Sequence, residues 1–474
     1  MLLVQPNEKM DFRVQAMAEI ELRKRVGGSF ENFVNHVKKG KYEWYRHCKV
    51  LANTLEKVLS GEIKRLMVFM PPRHGKSELA SRLFPAYTLY KRETIQIGLT
   101  SYSGDLAHSL SRYARDNYEI SGKVLRNDAA ATREWYTLTN GVMWAAGVGG
   151  PITGKGFDIG IIDDPLKNAE EAYSERVREN CKEWYDSTFY TRAEPDAAII
   201  IIQTRWHEDD LCGWLLSREE EKPEHWHILH FDALKSSEEL QFPKTCTVEY
   251  DWRKQGEALC PERFNEEKLR DIQKKIGSIF WTALYQQRPT AMSGDIWRRE
   301  WFKNTFELST LLNQNILLDV GYDWDLAYTE DDRNTACCYV KSGRDVKGNI
   351  YILDIGFEWY EFPELIKWMI SLQGPHFIEA KASGKSAKQT LTRQNIAASE
   401  VEVQGGDKIS RARLATPMVE NGKVFIASHI LEKLLEDSKQ GLLHFPNGSH
   451  NDLNDAFVQS INRHTKQSTQ LFFI

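Results

Sequence analysis

The 474-residue chain has no C-x-x-C pair and no histidines at zinc-like spacing, which argues against a finger-type metal site. Its seven cysteines are odd in number and read as reduced thiols of an intracellular protein, not as a disulfide framework. Long apolar runs are missing too: the longest strongly apolar one, Ala197 to Ile202, is far too short to span a bilayer. The first residues, MLLVQPNEKMDF, lack the basic start and apolar stretch of a secretory signal. A soluble, cytoplasmic, non-secreted protein without membrane contact is expected. No charge sign dominates, since 62 Lys and Arg face 67 Asp and Glu for a net charge of −5. A nucleic-acid partner is therefore not announced by the total, and any basic surface must be local and offset by carboxylates. Neither an internal repeat nor a low-complexity tract appears.

At this length one core usually stops growing, so two or three domains are expected. The most specific stretch is RLMVFMPPRHGKS, Arg65 to Ser77, where an apolar strand-like run enters a turn that ends in Gly-Lys-Ser and opens a helical pattern. That is the layout of a phosphate-binding loop. Pro72, Arg73, His74 and Gly75 form the loop around the phosphates of ATP, Lys76 reaches the outer ones as a point charge, and the Ser77 hydroxyl is placed to ligate Mg²⁺. One departure is visible, because Met70 stands where the usual pattern has glycine. Arg73, a cation inside the loop, is the candidate for neutralising charge at the transferred phosphate.

Downstream, FDIGIIDDP places Asp163 and Asp164 at the end of an apolar strand, as an acidic Mg²⁺ site requires. Asp163 is the metal candidate. The water-activating role falls to Asp164 or, since Asp is one methylene shorter than the usual Glu, to Glu170 or Glu171. The preceding GGPITGKGFD is a glycine-dense loop that carries Lys155. In IIIIQTRWHEDDL, Thr204 follows a buried strand at the edge that faces a nucleotide crevice and is placed to sense the γ-phosphate. A rival metal site on His207, Asp209 and Asp210 lacks a second histidine at helical spacing. Arg112 and Arg115, on a helical pattern after the second strand, are candidates for an arginine offered to a neighbouring subunit.

The organisation follows from alternating patterns. Residues 1–60 are charged and aromatic, with Trp44, Val50, Leu51, Leu55 and Val58 on one amphipathic face, and read as a helical lead-in. Strand-like runs at Arg65 to Met70, Thr94 to Thr100, Asp158 to Asp163 and Ala197 to Gln203 alternate with helical ones over residues 61–222, which implies a parallel α/β sheet. Residues 223–305 are punctuated by Pro223, Pro243, Pro261 and Pro289 and read as a linker or lid. Residues 306–474 begin with three strands that resemble an antiparallel meander and end in a helix from Asn451.

That last stretch carries carboxylates at element ends: Asp325 in YDWDLA, Glu379 in HFIEA, and Asp452 with Asp455 three apart on one helical face. Three or four carboxylates on adjacent elements can bind two Mg²⁺ or Mn²⁺ ions about 3.5 to 4 Å apart and cut a phosphodiester. Asp323, two residues before Asp325, is a possible extra ligand. Lys408 and Arg411 are candidates for DNA phosphate contact.

Taken together, PPRHGKSE, TGKGFDIGIIDDPLKN, QTRWHEDDL, ALYQQRP, WDLA, IEAKASGKS and HNDLNDA resemble the large terminase subunits of tailed bacteriophages over nearly the whole chain. The resemblance implies an ASCE-type ATPase core, a linker or lid subdomain and an RNase H-like nuclease fold. It also implies double-stranded DNA, a portal protein and a small terminase subunit as partners, in a homo-oligomeric ring transiently at the procapsid portal vertex in the host cytoplasm. By the same likeness, Lys76, Ser77, Asp163, Asp164 and Thr204 fall at the ATPase motifs, and Asp325, Glu379 and the Asp452/Asp455 pair at the nuclease ligands. His450-Asn451-Asp452 replaces the family's His-Asp-Asp, so Asp452 and Asp455 both stay open as the main helix ligand. The alternative function is a helicase or translocase, or a junction-processing enzyme, whose C-terminal domain binds nucleic acid.

Overall fold

The computed structural model describes residues 6–289, 296–312, 316–326, 336–380, 382–402 and 407–470. The chain divides into two compact units, Met1–Asp271 with Phe280–Thr290, and Ile272–Ile279 with Ala291–Ile474.

The first unit opens with helices α1 (Pro6–Val26), α2 (Phe30–Val37) and α3 (Arg46–Ser60). Ser29 caps α2 through Asn32 N, and the helix buries Phe30, Phe33, Val34 and Val37 on one face. Strand β1 (Arg65–Phe69) follows, then a π-helical turn over Glu78–Leu83 that runs into α4 (Phe84–Lys91). The helix expected from Ser77 is thus broken into two geometries. After these come β2 (Gln96–Ser101), α5 (Gly104–Ile120), β3 (Leu125–Ala131), β4 (Glu134–Thr137), β5 (Val142–Gly147) and β6 (Phe157–Asp163). The unit continues through α6 (Ala169–Tyr173), α7 (Glu175–Trp184), β7 (Ala193–Gln203), α8 (Leu211–Arg218), β8 (His227–His230) and β9 (Thr247–Val248).

These nine strands form one sheet in the order β3-β4-β5-β2-β6-β7-β1-β8-β9, parallel from β5 to β9 with β3 and β4 added antiparallel. Its central strands are near-continuous aliphatic runs because helices cover both faces. Leu66, Val68, Ile200 and Ile202 are buried in one cluster, and Met67, Phe69, Ile199 and Ile201 in another. The register sets Phe69 beside Gln203 and Asp163 beside Ile202, so β1, β6 and β7 end together. A crevice past the carboxyl ends of parallel strands is where such sheets bind ligands.

Helix α9 (Glu266–Phe280) crosses the division in sequence. The second unit then holds β10 (Thr305–Phe306), α10 (Leu308–Leu312), β11 (Leu318–Asp325), β12 (Cys337–Arg344), β13 (Ile350–Glu358), α11 (Phe362–Ser371), β14 (His376–Glu379) and α12 (Ala382–Arg393). It closes with β15 (Ala398–Val401), α13 (Lys408–Glu420), β16 (Val424–Ala427), α14 (Leu431–Glu436) and α15 (Asp452–Gln470). The sheet order is β10-β16-β13-β12-β11-β14-β15. The expected antiparallel meander is β11-β12-β13, flanked on both sides by parallel strands. Helix α15 covers one face with Leu453, Ala456, Phe457 and Ile461, while Leu365, Met369, Ala387 and Leu391 of α11 and α12 pack around Trp324 in the other cluster. All seven cysteines are free thiols. Among the described residues no helix is long and apolar enough to cross a membrane.

Candidate functional site

At the end of β1 the chain turns sharply. Arg73 adopts φ 66 and Gly75 φ 88, both left-handed, and only the second is free of a Cβ penalty. The turn returns Lys76 over the strand ends, where its buried ammonium bonds the Thr204 hydroxyl and lies 3.5 Å from Asp164 Oδ2. Thr204 N donates to Asp164 Oδ1 at 2.8 Å, so Lys76, Asp164 and Thr204 close a triangle across β1, β6 and β7. Asp164 sits at φ 45, a second strained non-glycine residue at the same mouth.

Asp163 lies beneath. Ser77 Oγ donates to its Oδ1 at 3.0 Å, and Ser81 Oγ, from the π-helical turn, to its Oδ2 at 2.6 Å. Burial, then the charge of Asp164, raises the Asp163 carboxyl from 3.8 to about 6, against the pull of Ser81, Lys76 and Ser77. Above these groups is a cavity of about 610 Å³ lined by Arg73, Lys76, Arg82, Lys167 and Arg263 against two carboxylates, Glu78 and Asp164. A concave site with this cationic surplus suits a polyphosphate.

Several expected residues fall elsewhere. His74 points into the core, with Nδ1 2.9 Å from Pro72 O and its ring stacked 4.9 Å from Phe264; burial lowers its pKa to about 4. Glu171 is occupied at the start of α6, where its Oε2 accepts from Lys167 N at 2.8 Å while Asn168 caps Glu171 N, and Glu170 is exposed. Arg112 is exposed on α5, and Arg115 is tied to Ala130 O at 2.7 Å. Lys155 pairs with Glu134 at 2.6 Å. In the rival set, Asp209 pairs with Lys182 and Arg178, and Asp210 pairs with Arg205 at 2.7 Å while capping α8. Arg263 was not legible as a site residue: it donates to Arg73 O at 3.0 Å from 190 positions along the chain, a separation no sequence signal bridges.

The second constellation lies in the other unit. Pairing of Trp324 with Ile378 sets Asp325 and Glu379 at neighbouring ends of β11 and β14. Gly384 lets α12 start close against the second of these, since a Cβ there would stand 2.0 Å from Glu379 O. Asp452 and Asp455 open α15, and Asp452 Oδ2 accepts from Ala336 N at 3.2 Å and Gln440 Nε2 at 2.9 Å.

Lys408 and Arg411 of α13 face this cluster. Lys408 Nζ is 2.5 Å from Asp455 Oδ2, and Arg411 is 3.4 Å from Glu379 and 3.8 Å from Asp455. Burial disfavours the Lys408 ammonium, but Asp455, Asp325 and Asp452 outweigh it and raise its pKa. All three also act, after burial, to push the neighbouring Cys338 thiol far up. Lys408 therefore contacts Asp455 directly and feels Asp325 and Asp452 at longer range, while Arg411 takes Glu379. Among the described residues no three His, Cys, Asp or Glu stand grouped as a metal site. Asp323, by contrast, is wholly buried and bonded to Arg463.

A parallel sheet whose strand ends carry a Gly-Lys-Ser turn, an Asp pair and a threonine defines a phosphate-loop α/β protein. A family comparison matches residues 67–304, half of the chain, to the terminase large subunit, T4-like-virus type, N-terminal part. The chain belongs to the large terminase subunit family. Among solved structures, a large terminase from a thermophilic bacteriophage, in its third crystal form, is 8% identical, with 79% of this chain and 87% of that one covered at a TM-score of 0.45. The bacteriophage HK97 large terminase is 11% identical, with 91% and 99% covered at 0.37. The large terminase nuclease of thermophilic phage G20c with bound zinc is 17% identical, with 30% and 81% covered at 0.21. A comparison with curated proteins finds no match.

Proposed function

We propose that this chain is an ATP-driven motor that translocates double-stranded viral DNA into a procapsid and a two-metal endonuclease that cuts concatemeric DNA. The observation that carries the reading is the pair of acidic sites on one chain, one beside a phosphate loop and one facing Lys408 and Arg411. In this reading the first unit is an ASCE-type ATPase, with residues 1–60 as lead-in and 61–222 as core. Residues 223–305, which add β8 and β9 to the sheet, serve as linker or lid. Residues 306–474 are an RNase H-like nuclease.

The cationic cavity binds ATP with its phosphates on Gly75 to Ser77. Lys76 holds the outer phosphates, and Arg73 lies along the same cavity to meet charge that builds on the transferred group. Asp164, at the cavity wall and oriented by Thr204 N, takes the water-positioning role that the sequence left open with Glu170 and Glu171. Because Thr204 touches both Lys76 and Asp164, it is placed to report the phosphate state to β7. Ser77 and Asp163 offer the oxygen donors that Mg²⁺ takes, and that ion supplies charge neutralisation on the phosphates. Arg112, exposed on α5, is available to a neighbouring subunit of a ring.

In the second unit the carboxylates of Asp325, Glu379, Asp452 and Asp455, with Asp455 and Glu379 here paired to Lys408 and Arg411, are the oxygen donors that would hold two Mg²⁺ or Mn²⁺, and those ions would activate water and stabilise the leaving oxygen. Lys408 and Arg411 give the DNA phosphate a cationic approach. A portal protein and a small terminase subunit are the partners this function calls for.

The test is incubation of the purified chain with supercoiled, linear and four-way-junction DNA, with Mn²⁺ or with EDTA. Metal-dependent cutting of the supercoiled and linear forms is expected. Absence of any cutting would favour a translocase whose C-terminal domain only binds nucleic acid, and preference for the junction would favour a junction-processing enzyme.

A further inference from the structure

Helix α15 carries two of the four carboxylates of the acidic cluster, and apolar packing alone holds such a helix loosely along its axis. Leu453, Ala456, Phe457 and Ile461 bury a face against the sheet, yet dispersion and hydrophobic contact are not directional and tolerate small shifts. Two-metal chemistry does not, since its ligands must stand within about 0.5 Å of the productive geometry.

One and two turns beyond Asp455, at i+4 and i+8, the same helix carries Gln459 and Arg463. Gln459 Nε2 donates to Phe377 O at 2.9 Å, two residues before Glu379 on β14. Arg463 donates from Nε to Asp323 Oδ1 at 2.9 Å and from Nη2 to Oδ2 at 2.8 Å, two residues before Asp325 on β11. Its Nη1 donates to Asp319 O at 3.1 Å and its Nη2 to Ser342 Oγ at 3.1 Å, and its guanidinium lies 4.0 Å from the centre of the Phe377 ring. His464 Nε2, 3.0 Å from Ser342 Oγ, closes the network. Each strand that supplies a carboxylate to the cluster is thus gripped two residues upstream by the helix that supplies the other two.

We infer that Arg463 and Gln459 are positioning residues that register α15 against β11 and β14, so that Asp452 and Asp455 meet Asp325 and Glu379 in one fixed arrangement. This rests on the nuclease reading above. The Asp323 side chain is wholly enclosed, and Arg463 is nearly so. A buried ion pair of this kind adds little net stability over an apolar pair of similar volume. What it adds is direction. The planar fork donates to the Asp323 carboxylate in a single geometry, and a slip of one residue along the strand, about 3.3 Å, would break every bond in it. Asp323 therefore serves as the anchor of this grip, a role distinct from the metal ligation its spacing from Asp325 suggests.

The experiment compares full-length wild-type chain with the double variant Asp323→Leu/Arg463→Met in cutting supercoiled plasmid with Mn²⁺, alongside urea unfolding and ATP turnover. An unchanged unfolding midpoint and ATP turnover, with a cutting kcat about 10²-fold lower and an unchanged KM for DNA, is the expected result, as a misplacement of about 1 Å produces. Cutting within threefold of wild type in a folded double variant would overturn the inference. Should the double variant not fold, Arg463→Lys, which keeps the charge without the fork, decides in the same way: a loss of at least tenfold in kcat supports the inference and full activity overturns it. If the wild type itself does not cut, the nuclease reading fails, an outcome distinct from a variant that cuts as well as the wild type.

Discussion

Replacing Arg73 by glycine separates what its backbone does from what its guanidinium does. At φ 66 the residue occupies a conformation that costs a non-glycine residue about 1–2 kcal/mol. Glycine removes that strain but adds about 0.5–1 kcal/mol of backbone entropy to the unfolded chain. The two nearly cancel, so Arg73→Gly is expected to leave the unfolding midpoint unchanged or slightly raised. The Arg73 carbonyl, which accepts from Arg263 at 3.0 Å, survives the substitution, so the loop keeps its outer tether. The guanidinium of this cavity-lining residue does not. An arginine that meets charge on a transferred phosphoryl group is worth about 10³-fold or more in kcat, or about 4 kcal/mol. Steady-state ATP hydrolysis and nucleotide binding, measured beside urea unfolding, are therefore expected to show a folded variant that binds ATP and turns it over at least about 10³-fold more slowly. Turnover within tenfold of wild type would refute the role given to Arg73 and shift it to another cation of the cavity wall, with Arg263 first in line.

Asp163 is ionised at neutral pH at a cost: with a folded pKa of about 6 against an ordinary 3.8, its favourable contribution is present below about pH 4 and lost as pH rises through 6. Asp163→Asn should therefore stabilise the nucleotide-free chain at pH 8, by up to about 3 kcal/mol, while ATP turnover is lost; urea midpoints across pH 4–8 should show the gap between variant and wild type widening with pH, and a constant gap would contradict it. Arg205→Leu leaves buried Asp210 without its cation and should cost about 3–5 kcal/mol, most of it recovered by adding Asp210→Asn, which can still accept from Gly213 N at the start of α8. A loss below about 1 kcal/mol for the single variant in chemical denaturation would show that the pair does not hold the segment after β7.

The strands that carry the phosphate-loop turn and the Asp pair were legible because the physics of a covered parallel sheet writes itself into the chain. β1, β6 and β7 are apolar runs that stop abruptly at PPRHGKS, DDP and QTR. The edge was not. In β3, LRNDAAA, and β4, EWYT, the side chains are half polar, and no periodic pattern separates them from loops. β8 is only four residues long and lies in a proline-punctuated stretch, so its pairing with β1 depends on contacts made after folding. The same limit applies at the sites. Asp325, Glu379 and Asp455 announce themselves as carboxylates at element ends, whereas the grip of Arg463 on Asp323 spans 140 positions. The helical spacing Asp455, Gln459, Arg463 was there to be read, but not the strands it faces. Likewise the inward turn of His74 follows from its stacking on Phe264, which spacing within the loop does not reveal.

The central claim is that one chain holds two separate catalytic sites, and a crossed pair of variants tests it most directly. Lys76→Ala and Asp325→Ala, each checked for folding, are assayed for ATP hydrolysis and for Mn²⁺-dependent cutting of plasmid DNA. Lys76→Ala is expected to abolish ATP turnover and retain cutting, and Asp325→Ala to abolish cutting and retain ATP turnover. Loss of both activities in each folded variant would contradict the account.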